Sequence, residues 1–283
     1  MDVEQEQQAA LVTFLGDRRS WGAPAVEQVQ THAARIFLVG DRAYKLKRAV
    51  RYSFLDFSTP ERRRDALQAE LRLNRRTAPM LYRHVLPVTR RQDGGFEIDG
   101  RGEPVDWLLE MRRFDQAAGL DRIAAAGPLD GRLVDELAEA VVELHEQAEV
   151  DRTSDGHRAM AEVIGGNASD LAGLAGCHFP VAPVRRLNEA TAAELARRRP
   201  LLEARGRAGR IRHGHGDLHL ANIVVLDGRP VLFDCLEFDP ALARTDVLYD
   251  LAFLIMDLLH RGQRHPAQRL LSVYLERTED DAG

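Results

Sequence analysis

The sequence is short of cysteine and of long apolar runs, and each shortage excludes a class of protein. Its two cysteines, Cys177 and Cys235, lie far apart and match no zinc-binding or redox spacing, so we expect two reduced thiols. The longest apolar candidate, Val247 to Leu259, is interrupted by Asp250 and Asp257. It falls short of the roughly 20 apolar residues that span a bilayer. A disulfide scaffold, a zinc-binding module and a membrane-spanning protein are therefore not expected.

A dominant charge and a targeting segment are also missing. The 39 basic and 44 acidic residues are mixed along the 283-residue chain and leave a formal net charge of -5, which gives no global field for nucleic acid. The arginine-rich stretches at 61–64 and 196–198 have no interleaved aromatic residues and are typical of solvated helix faces. Residues 1–5 contain neither the basic nor the apolar part of a signal peptide. We expect a cytoplasmic protein that binds neither nucleic acid nor membrane.

The hydropathy pattern changes character along the chain. Up to about residue 112 it predicts strands, turns and one inserted helix that begins at Pro60, with Ser58 or Thr59 as its cap. From Gly131 onward apolar residues recur every three or four positions, which is typical of helices. The predicted strands are 26–31, 35–39, 43–47, 85–90, 96–98, 106–111, 223–226 and 231–233, and the predicted helices are 5–15, 61–76, one from 131, several within 151–210, 247–260 and 266–275. The sequence predicts an α+β protein with a small antiparallel-sheet lobe at 1–112 and a mainly helical lobe at 113–283.

The stretch from His215 to Asn222, His-Gly-Asp-Leu-His-Leu-Ala-Asn, carries the chemistry. Asp217 and Asn222 have the spacing of a kinase catalytic loop, in which an aspartate precedes an asparagine by five positions. Asp217 would accept the proton of a substrate hydroxyl, and Asn222 would offer an oxygen to Mg²⁺. Twelve residues after Asn222, Asp234 ends an apolar strand, and the hairpin between them would let both side chains share one ion.

These residues resemble the aminoglycoside phosphotransferase-like family, which has a protein-kinase-like fold. The family signature His-Gly-Asp-x-His-x-x-Asn is matched from His215 to Asn222, its metal aspartate by Asp234, and its later Asp-Leu-Ala element by Asp250-Leu251-Ala252. The resemblance implies a two-lobed enzyme that phosphorylates a small molecule. It also implies that His215, His219 and Asp250 support the catalytic loop.

A closer likeness rests on the segments 43–47, 54–59 and 70–76. They resemble the kinase-like half of bifunctional aminoglycoside phosphotransferase/ATP-binding proteins, and the likeness covers roughly residues 30–275. Such relatives commonly continue into a P-loop domain, but no Gly-x-x-x-x-Gly-Lys-Ser/Thr string occurs here. We expect a stand-alone form or a chain truncated at its C-terminus. If helices are missing, another copy could complete the second lobe, so a homo-oligomer is left open.

The resemblance also assigns the nucleotide-binding residues of the first lobe. A kinase needs a strand lysine on the α- and β-phosphates and a helix glutamate that steadies it. Lys45 is preferred over Lys47 as that lysine, and Glu70 is preferred over Glu61 as its partner because Glu61 lies in the first turn. The strand that ends at Glu110 and Met111 would be the hinge, and backbone groups near Glu110 to Arg112 would meet the adenine.

One departure from the family pattern keeps a second interpretation open. The loop that would cover the phosphates, 31–34, contains no glycine. Our hypothesis is Mg²⁺-dependent transfer of the γ-phosphoryl group of ATP, with GTP as the alternative donor, to a hydroxyl of an aminoglycoside, a sugar or a related metabolite. Asp239, Glu237 and Asp246 are available for a cationic acceptor. The alternative is a nucleotide-binding regulatory module that no longer turns over.

Overall fold

A computed structural model describes residues 3–52, 55–152 and 155–280 of the chain. Residues 1–2, 53–54, 153–154 and 281–283 lie outside these ranges, and with them parts of the segments 1–5, 54–59, 151–210 and 113–283 named above. The chain forms two compact units. The first comprises Met1–Ile123 and Ala221–Asp239, and the second comprises Ala124–Leu220 and Pro240–Gly283.

The described residues form helices and strands with the following bounds. The helices are α1 (Val3–Gly16), α2 (Pro60–Asn74), α3 (Leu120–Ala126), α4 (Gly131–Gln147), α5 (Gly156–Leu174), α6 (Val181–Arg207), α7 (Pro240–Ala243), α8 (Val247–His260) and α9 (Arg264–Thr278). The strands are β1 (Glu27–Gln30), β2 (Ala34–Val39), β3 (Arg42–Lys47), β4 (Arg51–Tyr52), β5 (Leu55–Asp56), β6 (Tyr82–Arg90), β7 (Phe96–Ile98), β8 (Glu103–Arg112), β9 (Ile211–His213), β10 (Ile223–Leu226), β11 (Arg229–Leu232) and β12 (Arg244–Asp246). Among the described residues, no helix is both long enough and apolar enough to cross a membrane.

The first unit is built on a six-stranded antiparallel sheet in the order β1-β2-β3-β8-β6-β7. Side chains alternate between its two faces, as the pleat of a strand requires. One face buries Tyr44 and Leu46 of β3 in a core that α1 completes with Leu11 and Leu15. On the other face, Ala43 packs in a second core together with Leu67, Leu109 and Met111. Lys45 and Lys47 therefore lie on the α2 side of β3.

Helix α2 begins where its sequence predicts. The Thr59 side chain accepts a hydrogen bond from the Arg62 amide, Pro60 occupies the first helical position, and Glu61 lies in the first turn. The helix ends at Asn74, two residues before the predicted Arg76. Its inner face is polar as well as apolar, because Arg63, Glu70 and Asn74 are all buried.

The β10–β11 hairpin belongs to the first unit by its packing. Asp227 and Gly228 have φ values of 50° and 79°, as the predicted type I′ turn requires. Val224 and Val231 pack in the same core as Leu109. The contacts therefore group residues 221–239 with the sheet, whereas the sequence alone divides the chain once, at residue 112.

The second unit is mainly helical, as the pattern predicts. Helix α4 packs against α9, and α5 packs against α6 within the segment where helices separated by loops are expected. Helix α8 has the predicted bounds, 247–260. The short β9–β12 ladder was not predicted, because each strand has three residues and its partner lies about thirty positions away. The expected α+β class, an antiparallel sheet with one inserted helix followed by a helical part, is confirmed.

A buried arginine ties the end of α6 to two distant segments of the second unit. Arg205 donates to Asp246 from Nε and Nη2 at 2.6 and 2.8 Å, and to Asp280 from Nη1 and Nη2 at 2.7 and 2.9 Å. Burial opposes the positive charge, yet hydrogen bonds and attraction to both carboxylates leave the pKa of Arg205 raised. All three side chains are almost fully buried.

We expect Arg205→Ala to lower the free energy of unfolding by about 3–5 kcal/mol, because it removes the cation that is hydrogen-bonded to two buried carboxylates. Arg210, 3.7 Å from Asp280, is too distant to replace these hydrogen bonds. Urea denaturation of the whole chain would measure this change. Arg198→Ala, on the same helix, is the control, since Arg198 is half exposed and pairs only with Glu194 across one turn. Equal stability of the two variants would show that the Arg205 network does not stabilise the unit.

Candidate active site

Five charged side chains of the first unit form a continuous chain of alternating sign. Lys45 Nζ lies 2.7 Å from Glu70 Oε1 and 2.7 Å from Asp234 Oδ1. Lys47 Nζ lies 2.6 Å from Glu70 Oε2 and 2.5 Å from Glu237 Oε1. We call Asp234, Lys45, Glu70, Lys47 and Glu237 the charge chain. The structure thus brings together three predicted site residues, Lys45, Glu70 and Asp234.

The pKa values follow from burial and these contacts. Burial opposes the positive charge of Lys45, but the carboxylates of Asp234, Glu70 and Glu237 outweigh it, so the pKa of Lys45 is raised. The pKa of Lys47 is also raised, because Glu70 and Glu237 outweigh burial and repulsion by Lys45. Burial raises the pKa of Glu237 against the opposing effect of Lys47. Both lysines therefore remain cations at neutral pH.

Two residues that the sequence did not single out hold the segment around Asp234. The Asp234 amide donates to the Tyr82 hydroxyl at 3.1 Å, and the Cys235 amide donates to Asn74 Oδ1 at 2.9 Å. Asn74 in turn donates to the Glu70 carbonyl at 2.9 Å. The signal for Asn74 was its position four residues after Glu70, on the same helical face. Tyr82 carried no sequence signal.

The β10–β11 hairpin places Asn222 and Asp234 at its two open ends. Ile223 pairs with Leu232, and the Phe233 amide donates to the Asn222 carbonyl at 3.0 Å. The Asp234 backbone has a φ of 62°, and its side chain is 39% exposed. Asn222 and Asp234 offer the hard oxygen ligands that Mg²⁺ prefers.

This ligand pair fits a metal that is shared with a nucleotide. Within 3–52, 55–152 and 155–280, no group of three or more His, Cys, Asp or Glu side chains could hold a metal ion. Mg²⁺ in nucleotide sites commonly takes one or two protein oxygens and completes its shell with phosphates and water. Asn222 and Asp234 suit that arrangement.

A small, mainly apolar pocket of the first unit lies beside Lys45 and Asp234. Its volume is about 90 Å³. Its walls come from β2, β3, the end of β8 and the residue before Asp234, and the lining residues are Ile36, Leu38, Ala43, Lys45, Tyr82, Met111, Arg112, Arg113, Phe114, Gln116, Phe233 and Asp234. Its lining is mainly apolar, as a base requires, and the cationic Lys45 and the anionic Asp234 are among the lining residues.

The predicted hinge residues divide between two faces of β8. Met111 lines the pocket, whereas the Glu110 carboxylate points to the other face and pairs with Arg42 at 2.6 Å. The amides of Arg112 and Arg113 donate to the carbonyls of Leu81 and Asp41, each at 2.8 Å. These two amides are therefore engaged within the unit, and the contact of the Glu110 to Arg112 backbone with an adenine stays a prediction.

The second unit contains the remaining predicted residues, organised by Asp250. The buried Asp250 carboxylate accepts from the His215 amide at 2.6 Å and from the Gly216 amide at 3.0 Å. It also lies 3.2 Å from His145 Nε2. Burial opposes its negative charge, but these contacts leave the pKa of Asp250 lowered. A Cβ on Gly214 would lie 2.5 Å from the carboxylate, so the loop needs glycine there.

Asp217 follows this anchored segment and is 44% exposed. Its carboxylate lies 3.4 Å from His219 Nε2. The hydrogen bond to Asp217, opposed by partial burial, raises the pKa of His219. The Leu220 amide donates to Asp257 at 2.9 Å, and Asp257 is a further support that the sequence did not reveal. The division between the units falls between Leu220 and Ala221, so Asp217 belongs to one unit and Asn222 to the other.

The antiparallel sheet with one inserted helix, followed by a helical part, is the architecture expected of a kinase-like fold. A family model described as the phosphotransferase enzyme family, APH, matches residues 34–282. The chain therefore belongs to the phosphotransferase enzyme family, and the resemblance seen in the catalytic motif is confirmed.

The curated relatives include uncharacterized proteins of Mycobacterium tuberculosis (strain H37Rv) and Mycobacterium bovis. Each is 34% identical over 263 residues, which are 92% of this chain and 51% of the relative. The chain thus spans about half the length of the curated relatives it matches.

Solved structures share the fold at low sequence identity. A choline/ethanolamine kinase family protein from Mesorhizobium loti has a TM-score of 0.53 at 16% identity, covering 95% of this chain and 76% of its own. An ethanolamine kinase of Plasmodium vivax has a TM-score of 0.54 at 9% sequence identity, and the match covers 98% of this chain and 80% of the kinase. A type VIII aminoglycoside-3'-phosphotransferase has a TM-score of 0.50 at 18% sequence identity, and the match covers 98% of this chain and 93% of that enzyme. The expected kinase-like fold is confirmed.

The contact between Asp217 and His219 gives a testable titration. We expect Asp217→Asn to lower the pKa of His219, because it removes the charged acceptor that favours the imidazolium. Imidazole resonances followed by NMR against pH would measure the shift. In the wild type, protonated His219 stabilises the fold below its unfolded-state pKa, and that stabilisation is lost as pH rises through the folded-state pKa.

Asp93→Asn is the control for that titration, because it removes one negative charge from an exposed turn of the first unit. We expect it to leave the His219 titration unchanged. An identical His219 titration in Asp217→Asn and in the wild type would contradict the contact.

Proposed function

We propose that the protein transfers the γ-phosphoryl group of ATP to a hydroxyl of a small molecule in a Mg²⁺-dependent reaction. The observation that carries this proposal is Lys45, held between Glu70 and Asp234 beside an apolar pocket. Membership of the phosphotransferase enzyme family supports small-molecule phosphotransfer in general. The solved choline/ethanolamine kinase family protein shares only the fold, which admits many acceptors.

In this proposal the first unit binds the nucleotide. The base would enter the apolar pocket, and Lys45 would leave Asp234 for the α- and β-phosphates while Glu70 keeps it oriented. Arg113 and Gln116 line the pocket and offer polar contacts to the base. GTP remains the alternative donor, since the apolar walls suit either purine.

Asn222 and Asp234 would hold Mg²⁺, which when bound neutralises charge on the phosphate oxygens. Asp217 would orient the acceptor hydroxyl and take its proton. Asp250 supports Asp217 indirectly, because it fixes the amides of His215 and Gly216 just before it. His219 follows Asp217 by two residues, and its contact with the Asp217 carboxylate restrains that carboxylate.

The pairing of nearby carboxylates limits the chemical class of acceptor molecule that the site would suit. Of the three that were expected to suit a cationic acceptor, Glu237 is paired with Lys47 and Asp246 with Arg205. Both carboxylates are buried, so neither is presented to a bound cation. This supports a sugar or a related neutral alcohol over a polycationic aminoglycoside.

A nucleotide-binding regulatory module is the second candidate, favoured by the turn between β1 and β2. The turn closes on itself, because the Thr31 amide donates to the Ala34 carbonyl at 2.9 Å and Thr31 Oγ1 accepts from the Ala34 amide at 3.0 Å. It lacks the glycines that let a loop follow phosphates closely. Thermal stabilisation by ATP–Mg²⁺ without turnover on any acceptor would favour this candidate.

We expect Asp217→Asn to reduce phosphoryl transfer by about a hundredfold or more while leaving the Kd for ATP–Mg²⁺ within about twofold, because it removes general-base catalysis and no nucleotide ligand. ATP consumption against a panel of sugars, amino alcohols and aminoglycosides would give the rate, and calorimetry would give the Kd. Wild-type turnover in this variant would refute the assigned role of Asp217.

We expect Asp234→Asn to weaken ATP binding in the presence of Mg²⁺ by about tenfold or more, because it removes the only charged ligand of the proposed ion. Asparagine tolerates the left-handed backbone at this position, so the charge is removed without added strain. The matched control is Asp227→Asn, an exposed aspartate of the same unit with a similar positive φ. Equal Kd values for the two variants would contradict a metal site at Asp234.

A further inference from the structure

Lysine is confined to one place in this protein. Of the 39 basic residues other than histidine, Lys45 and Lys47 are lysine and all the others are arginine. Both lysines lie on the same face of β3, and both belong to the charge chain. A composition that uses arginine everywhere else indicates that these two positions require an ammonium group.

Glu70 explains why two lysines are needed. Its side chain is 0% exposed, and each carboxylate oxygen has its own lysine, Oε1 with Lys45 and Oε2 with Lys47. With one lysine removed, a buried carboxylate oxygen would lose its ionic partner, which is costly in the protein interior. Lys47 therefore fixes the orientation of the group that fixes Lys45.

Glu237 balances the charge of the buried part of the charge chain. Lys45, Glu70, Lys47 and Glu237 carry two positive and two negative charges, and the side chains are 11%, 0%, 3% and 9% exposed. This buried quartet is neutral by itself. Asp234, the fifth member and the most exposed, can therefore exchange Lys45 for another cation without leaving an uncompensated charge inside.

The geometry of an ammonium group suits the position of Lys47. Its Nζ contacts Glu70 and Glu237 and lies 5.3 Å from the centre of the Phe57 ring. A compact charge can donate a hydrogen bond to Glu237 while it pairs ionically with Glu70 and faces the aromatic ring, whereas the planar guanidinium of arginine imposes a fixed fork.

We propose that Lys47 and Glu237 are positioning residues for the phosphate lysine. Lys47 holds Glu70 so that Glu70 still orients Lys45 when Asp234 turns to the metal, and Glu237 keeps the buried quartet neutral. Lys47 does not bind phosphate itself. This inference rests on the proposed nucleotide-binding function of Lys45.

A double-mutant cycle on the Kd for ATP–Mg²⁺ tests whether Lys47 acts through Glu70. The variants are Lys47→Met, Glu70→Gln and the two combined, measured by calorimetry. We expect Lys47→Met to raise the Kd about tenfold in the wild-type background, as supporting residues of phosphate and metal sites do, and by less than about twofold in the Glu70→Gln background. Arg90→Met, on β6 of the same sheet, is the control and should leave the Kd unchanged.

Two results of the cycle would overturn the inference. An equal increase in both backgrounds would make Lys47 a direct phosphate ligand, and no increase in either would leave it no role in binding. A wild-type chain that binds neither ATP–Mg²⁺ nor GTP–Mg²⁺ would remove the proposed function and the inference with it. The two failures are therefore distinguishable.

A charge-balanced variant separates positioning from folding. Lys47→Met with Glu237→Gln removes one charge of each sign, and we expect a melting temperature close to that of the wild type with the Kd still raised about tenfold. Recovery of both the melting temperature and the Kd would overturn the inference, because the pair would then be structural only. Failure of this balanced variant to fold would overturn it for the same reason.

Lysine-selective isotope labelling gives a readout that does not depend on turnover. Only Lys45 and Lys47 contribute side-chain signals. On addition of ATP–Mg²⁺ we expect a large shift of the Lys45 ammonium resonance and a small one for Lys47. In Glu70→Gln the Lys47 resonance should lose this protection and shift on nucleotide addition. A large Lys47 shift in the wild type would overturn its indirect role.

Discussion

The Glu70 carboxylate is the group on which the charge chain of the first unit depends. It is fully buried, and it joins α2 to β3 through two lysines rather than one. The next turn of the same helix carries Asn74, which holds the Cys235 amide and so places Asp234. A single helical face thus fixes both Lys45 and Asp234, the proposed phosphate lysine and the proposed metal ligand. The apolar packing of Leu67 beneath the sheet keeps that face in register.

The second unit uses a buried carboxylate in a different way. Asp250 accepts two successive backbone amides, and the close approach of Gly214 makes room for it. Here the carboxylate organises backbone rather than cations, so the exposed Asp217 is presented from a segment that cannot shift freely. In each unit, a residue that would touch substrate is held in place by a second residue that would not touch substrate. Glu70 holds Lys45 in the first unit, and Asp250 holds the segment before Asp217 in the second.

The sequence predicted what local patterns determine. The cap and proline of α2, the Asp227-Gly228 turn and the bounds of α8 follow from short-range chemistry, and all three were found. The catalytic motif was recognisable because its spacing is dictated by phosphoryl transfer. The β9–β12 ladder could not be predicted, because three-residue strands have no pattern of their own and pair across a long separation.

One physical reason explains why the sequence did not reveal Asn74 and Tyr82. Asn74 and Tyr82 act through hydrogen bonds to backbone groups far away in sequence, and nothing near them reveals those partners. Likewise, the choice between Lys45 and Lys47 could not be made by alternation alone, since both lie on one face. Three-dimensional contacts separate them: Lys45 reaches the pocket and Asp234, while Lys47 lies between two glutamates.

The confinement of lysine to the charge chain has a practical consequence for amine chemistry. Both side-chain amines are largely buried, so activated esters and formaldehyde would find few groups to modify apart from the α-amino terminus. Surface immobilisation by amine coupling would be inefficient or would attach the protein by one end. Because the raised pKa of Lys45 keeps its amine protonated between Glu70 and Asp234, even an electrophile that reached this side chain would react with it slowly.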